Sequence, residues 1–162
     1  MGKLLMKNKK LISKWKNSLK IRHIVHSSAF SHFKLMDRLL GLITIILSAI
    51  VTTTVFVSFG ESESRILIAI AGGISVLTTL FAASHSFLNF AELAERHRQA
   101  AASFDQLRRD LDSILLNKNI ESINHKKLQE MNAIWSELEK TAPSVPQRIY
   151  ARATNKDTAK KS

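Results

Sequence analysis

The chain has 162 residues, a formal net charge of +11 and no cysteine, which excludes disulfides, thiolate metal sites and a cysteine nucleophile. Its mean hydropathy of −0.02 conceals two lipid-like runs set between very polar flanks. Residues 39–60 (LLGLITIILSAIVTTTVFVSFG) hold 22 positions without a charge and residues 66–84 (ILIAIAGGISVLTTLFAAS) hold 19 more, where a helix needs about 20 apolar residues to cross the hydrocarbon core.

Residues 1–38 come first in the chain. The segment GKLLMKNKKLISKWKNSLKIRH reads as a basic amphipathic helix, with Leu4, Leu11, Trp15 and Leu19 at helical spacing among lysines. Such a helix either lies on an anionic membrane surface through Lys7, Lys10, Lys14 and Trp15, or serves only as a charged flank that fixes topology. HSSAFSHFKLMDR then forms the approach to the first span.

The first span, 39–60, begins too far into the chain and is too long for a secretory signal. It carries a polar stripe: Gly41, Thr44, Ser48, Thr52 and Val55 fall at steps of three or four. Small and hydroxyl residues in lipid let helices approach closely and hydrogen-bond, so the stripe fits helix packing or pore lining. Residues 61–65 form a short connection, placed outside the cytoplasm by the charge map. Ten Lys/Arg precede the first span against one acid, and thirteen follow the second against ten acids. Because Lys and Arg stay on the cytoplasmic side, both termini are expected in the cytoplasm.

The second span is assigned to 66–88. From Ala69, a frame of alternating threes and fours runs through Gly72, Val76, Thr79, Ala83, Ser86, Phe90, Leu93, His97, Ala100, Phe104, Leu107, Leu111 and Ile114 without slipping over 46 residues. Sustained heptads indicate a coiled-coil-like seam, small inside the membrane and large and apolar beyond Ser86. With no proline in the run, one unbroken helix of about 70 Å is expected. Thr44, Ser48, Thr52, Gly72, Val76, Thr79, Ala83 and Ser86 are thus the candidate pore-lining or helix-packing residues. Phe90, Leu93, His97, Phe104, Leu107, Leu111 and Trp135 are the candidate cytoplasmic oligomerisation seam. After a turn at Asn117–Asn119, a second helix with Leu128, Met131, Trp135 and Leu138 folds back, making 89–150 a cytoplasmic antiparallel hairpin. Pro143 and Pro146 end it, and residues 151–162 read as a disordered basic tail. The fold class expected is all-α: two transmembrane helices, the second continuing into the hairpin, preceded by the basic amphipathic helix.

Little in the chain suggests catalysis. His85 has Ser84 and Ser86 beside it, but adjacent residues do not face each other on a helix, and no acid lies in either span to orient it. His97 on the seam fits a register-setting residue or a hydrogen-bonded core histidine. The remaining histidines have no metal-ligand spacing, and no glycine-rich phosphate loop occurs. No enzyme activity, catalytic residue, metal, cofactor or nucleic-acid partner is expected. The partners expected are the bilayer and further copies of the chain, since two spans cannot enclose a water path alone. A non-conducting scaffold whose hairpin recruits a partner protein is the alternative.

The arrangement resembles the SLATT domain family, two-transmembrane effector domains associated with bacterial nucleotide-signalling conflict systems. The likeness rests on HSSAFSHFKLMDR, NFAELAERHRQAAASFDQLRRDLDSI and IWSELEKTAPSVPQRIY, and covers most of residues 23–150. It implies an oligomeric pore-forming effector that depolarises the inner membrane in antiviral defence, causing growth arrest or death of the infected cell by abortive infection. It also implies a nucleotide-messenger synthase or sensor as partner, and no catalytic residues.

Overall fold

The computed structural model describes residues 2–58, 65–116 and 125–159, with side chains placed over 10–57, 65–114 and 126–155. Every element among these residues is an α-helix: α1 Gly2–Ser58, α2 Arg65–Leu88, α3 Phe90–Leu116, α4 His125–Thr141 and α5 Gln147–Ala159. The expected connection at 61–65, apart from Arg65, and the turn at Asn117–Asn119 lie outside the described residues.

The basic segment, the approach HSSAFSHFKLMDR and the first apolar run form one helix of 57 residues. Beyond its second residue it holds one glycine, Gly41, and no proline. An α-helix satisfies its backbone groups internally, so the same ladder can pass from a polar to an apolar sequence without a break.

The second long helix behaves differently, and the expectation of one unbroken rod is corrected. It is interrupted at Asn89, whose φ of 42° lies in the left-handed region. Asparagine enters that region more readily than most residues. Its amide donates to the His85 carbonyl at 3.3 Å, closing α2. Its side-chain oxygen accepts the Glu92 amide at 3.4 Å, and its side-chain amide donates to the Glu92 carboxylate at 2.5 Å, opening α3. One residue thus ends one helix and caps the next.

Helix α4 stops at Thr141 ahead of Pro143, as the prolines predict. Helix α5 begins within the expected hairpin and takes in residues 151–159 of the expected disordered tail, whose last three residues lie outside those described. Its first turn is set by Pro146, whose carbonyl accepts the Ile149 and Tyr150 amides at 2.9 and 3.1 Å. Its Ala153 is buried.

The chain divides into two compact units, residues 1–31 with 93–162, and residues 32–92. In the first, Ile12 and Leu19 of α1 meet Ala100, Phe104, Leu107, Leu111 and Ile114 of α3 and Met131 of α4, with Trp15, Leu128, Trp135 and Leu138 packed around them. Lys16 pairs with Asp112 at 2.5 Å, His23 bonds the Ala101 carbonyl at 3.1 Å and His26 bonds His97 at 3.0 Å, so α1 and α3 run antiparallel. Arg22 pairs with Glu139 at 3.0 Å, tying α1 to α4.

In the second unit α1 and α2 meet along narrow stripes. On α1, Phe33, Asp37, Leu40, Thr44, Leu47, Val51 and Thr54 are more covered than their neighbours, and on α2, Leu67, Ala71, Ile74, Thr78, Phe81 and His85 are. Both stripes step by threes and fours, as paired helices require. Packing is thin: Ala71 is the buried residue of α2, and Ile45, Phe56, Ile66, Ile68, Val76 and Leu80 stand exposed. The two apolar helices are long enough to cross a membrane, and their most apolar windows are almost wholly unburied.

Candidate functional site

The polar groups of the apolar helices fall into two sets. Thr44, Thr52, Thr53, Thr54, Thr78 and Thr79 each donate to the carbonyl four residues back on their own helix, at 2.8–3.0 Å. Their hydroxyls are therefore satisfied without water and can face lipid. The second set crosses between helices. His85 Nε2 lies 2.9 Å from Asp37 Oδ1, both side chains about one-third exposed. Asp37 lies just before the charge-free run of α1, with Arg38 between them, and His85 directly follows that of α2. Neither span supplies an acid, as the sequence reading has it, but one reaches His85 from just outside the first span. Ser84 and Ser86 are exposed beside it, on faces turned away by the helical step of 100°.

One turn before Asp37, Phe33 stacks on Phe90, with ring centroids 6.0 Å apart and planes 18° from parallel. Phe90 is the first residue after the break. The site therefore consists of two contacts from one face of α1, one on each side of Asn89.

The candidate lining residues separate on this geometry. Thr44 lies on the stripe of α1 that meets α2, whereas Ser48 and Thr52 are exposed. Gly72, Val76, Thr79, Ala83 and Ser86 are all exposed, and a Cβ added at Gly72 would meet nothing within 4 Å. The frame drawn from Ala69 thus lies off the stripe that α2 presents to α1. Beyond the break the frame holds: His97, Phe104, Leu107 and Leu111 are buried, and Phe90 and Leu93 are partly covered. From His97 onward that seam is filled by the chain's own α1 and α4 rather than standing open to another copy. Trp15 takes part in this filling; its ring meets Trp135 edge-on at 5.8 Å. Lys10 and Lys14 are exposed, and the Lys7 side chain lies outside those described.

His26 and His97, 3 % and 0 % exposed, form a pair that no spacing announces. Their Nδ1 atoms are 3.0 Å apart, so one ring donates and the other accepts, and Phe104 stacks on His26 at 5.4 Å. Burial, then the neighbouring His97 and Arg22, pushes His26 down to about 4. Burial also lowers His97. Nearby, burial works to raise Asp105, but the Arg108 hydrogen bond and charge, with His23 and Arg109, outweigh it and hold the carboxyl below its ordinary value. Among the described residues no group of three or more His, Cys, Asp or Glu side chains could hold a metal ion.

The sequence model of the SMODS and SLOG-associating 2TM effector domain family 4 matches residues 22–159. No curated protein and no solved structure matches the chain. The matched span takes in both units and the contacts around Asn89, and leaves out most of the basic start.

Proposed function

The chain belongs to the SMODS and SLOG-associating 2TM effector domain family, a family of membrane effectors of conflict systems, and from that premise we propose that several copies assemble into a pore that depolarises the bacterial inner membrane. The outcome is growth arrest or death of the infected cell, with a nucleotide-messenger synthase or sensor supplying the trigger. The carrying observation is the pair of apolar helices whose windows are almost entirely uncovered within one chain. Lipid covers part of such a surface. The exposed face of Gly72, Val76, Thr79 and Ala83 offers the close approach that a neighbouring helix needs. Two spans enclose no water path, so conduction requires the assembly. The charge distribution supports both termini on the cytoplasmic side.

The test is dye release from anionic liposomes at rising protein loading, with membrane potential followed in cells after induction. Release that grows with oligomer content supports the reading. Tight vesicles with oligomers present, and cells that keep their potential, refute it.

A non-conducting scaffold is the second reading, and two observations favour it. The span hydroxyls are satisfied by their own helices. An open cavity of about 270 Å³ between α3 and the end of α4, lined by Arg96, Gln99, Ser103, Thr141 and Pro143 among others, gives a partner a place to dock. Under it, induced expression is tolerated.

A further inference from the structure

The second apolar helix carries two frames. The stripe of α2 that meets α1 runs through Ile74, Thr78, Phe81 and His85, and the next residue to touch α1 is Phe90, a step of five. In a continuous helix five residues turn through about 140° beyond a full circle, so His85 and Phe90 would not share a face. The residues that would continue the His85 face, Leu88 and Glu92, are exposed. The other frame, through Gly72, Val76, Thr79 and Ala83, joins the buried seam of α3 without any slip, and it lies exposed in α2. The frame that runs unbroken in the sequence is therefore not the one α2 uses in this structure. Asn89 makes the difference, because its left-handed conformation resets the phase.

Two contacts hold that phase. Phe33 and Asp37 are four residues apart on one face of α1 and grip either side of the break: Asp37 takes His85 at 2.9 Å, and Phe33 takes Phe90 at 6.0 Å between ring centroids. His85 is engaged twice, since its carbonyl also receives the Asn89 amide at 3.3 Å. Straightening the helix would carry Phe90 off the face that holds His85, so a continuous helix and both contacts exclude each other. Packing between α1 and α2 is thin, with Ala71 the buried residue of α2, so these contacts bear much of the constraint.

We propose that Asp37–His85 and Phe33–Phe90 form a clamp that keeps the helix broken at Asn89 in the resting protein, and that release of the clamp joins α2 and α3 into one helix and switches membrane activity on. Only the last step rests on the effector reading above. In the straight helix the face of Gly72, Val76, Thr79 and Ala83 becomes continuous with the α3 seam, so a change made at α3 is carried into the membrane.

The experiment uses the full chain in lipid vesicles. Because the chain has no cysteine, Phe33→Cys with Phe90→Cys gives a specific pair for a short bifunctional thiol reagent; the pair gives up the ring stack, and its cross-linking rate reads whether Asp37–His85 and the turn at Asn89 still hold the two positions together. Asn89→Ala disfavours the left-handed turn and is expected to slow cross-linking by about five- to thirty-fold. Asp37→Asn slows it in the same direction. Asn89→Gly, which keeps that backbone conformation accessible, cross-links at the parent rate and serves as the folding control. In the parent chain without added cysteines, Asn89→Ala and Asp37→Asn raise dye leakage above wild type. A cross-linking rate left unchanged by both substitutions overturns the clamp. A rate that responds while the variants leak no more than a leaking wild type upholds the clamp and refutes its link to membrane activity; a rate that responds while wild type and variants all stay tight upholds the clamp and refutes the effector reading instead.

Discussion

Acidification should unlock the water-side core through His26, and the size of the effect follows from its surroundings. The imidazole is 3 % exposed, stacked on Phe104 and bonded to His97, and its pKa falls from 6.5 to about 4 on folding. For a base with a lowered folded pKa, the neutral ring is the form the native state accepts. Above 6.5 the folded and unfolded chains bind the same number of protons at this site. Between 6.5 and 4 the unfolded chain binds more, so stability drops as pH falls through that window. At roughly 1.36 kcal/mol per pH unit, the fall from 6.5 to about 4 amounts to about 3 kcal/mol. For a chain of this size that is a loss of about 6–12 °C in melting temperature. Burial lowers His97 as well, which adds to the loss in the same direction. Asp105 acts elsewhere: its folded pKa lies below 3.8, so its contribution disappears only at lower pH. Thermal melts of the detergent-solubilised chain, followed by circular dichroism from pH 7.5 to 4.5, measure the slope. His26→Phe, which preserves the aromatic stack without the proton site, should start from a lower melting temperature and show a much flatter slope. A wild-type melt independent of pH over this range, or an equal slope in His26→Phe, would refute the assignment.

Three further outcomes follow from the packing. Leu111 is 1 % exposed at the centre of the α1–α3–α4 core, so Leu111→Ala should cost about 2–5 kcal/mol in denaturant or thermal unfolding. Lys16 and Asp112 are 2.5 Å apart but partly exposed, and a double-mutant cycle on them should give a coupling below about 1 kcal/mol that shrinks with added salt. A Cβ added at Gly72 meets nothing within 4 Å and the position is exposed, so the Gly72→Leu monomer should melt no lower than wild type. A change in oligomer yield or dye release in that variant would then report a contact between copies.

Much of the fold was legible because its causes are local. Two charge-free runs and a proline pair mark the apolar end of α1, the place of α2 and where α4 stops. The face of α3 from His97 to Ile114 follows from its period, because water forces the large apolar residues of one stripe inward whatever covers them. What covers that stripe was not legible. Periodicity assigns a face but no partner, and the cover is the chain's own Ile12, Trp15 and Leu19. The two histidine contacts were hidden for a similar reason. His26 and His97 are 71 residues apart, and His85 and Asp37 are 48 apart, so neither pair leaves a spacing to recognise.

The break at Asn89 is the instructive miss, since its signal was present. Asn89-Phe90-Ala91-Glu92 places a capping residue three positions before a glutamate at the end of an apolar run, the pattern that opens a helix. The heptad frame passing through the same residues concealed it. Both readings are physically sound. A left-handed residue costs roughly 1–2 kcal/mol, and the cap it creates returns about 1 kcal/mol. With the local terms so nearly balanced, neither frame nor cap decides the backbone alone. The decision falls to residues distant in sequence, Phe33 and Asp37 on α1, which meet Phe90 and His85 only when the helix is broken. A junction whose local preferences nearly cancel is one that a small change in distant contacts can reset.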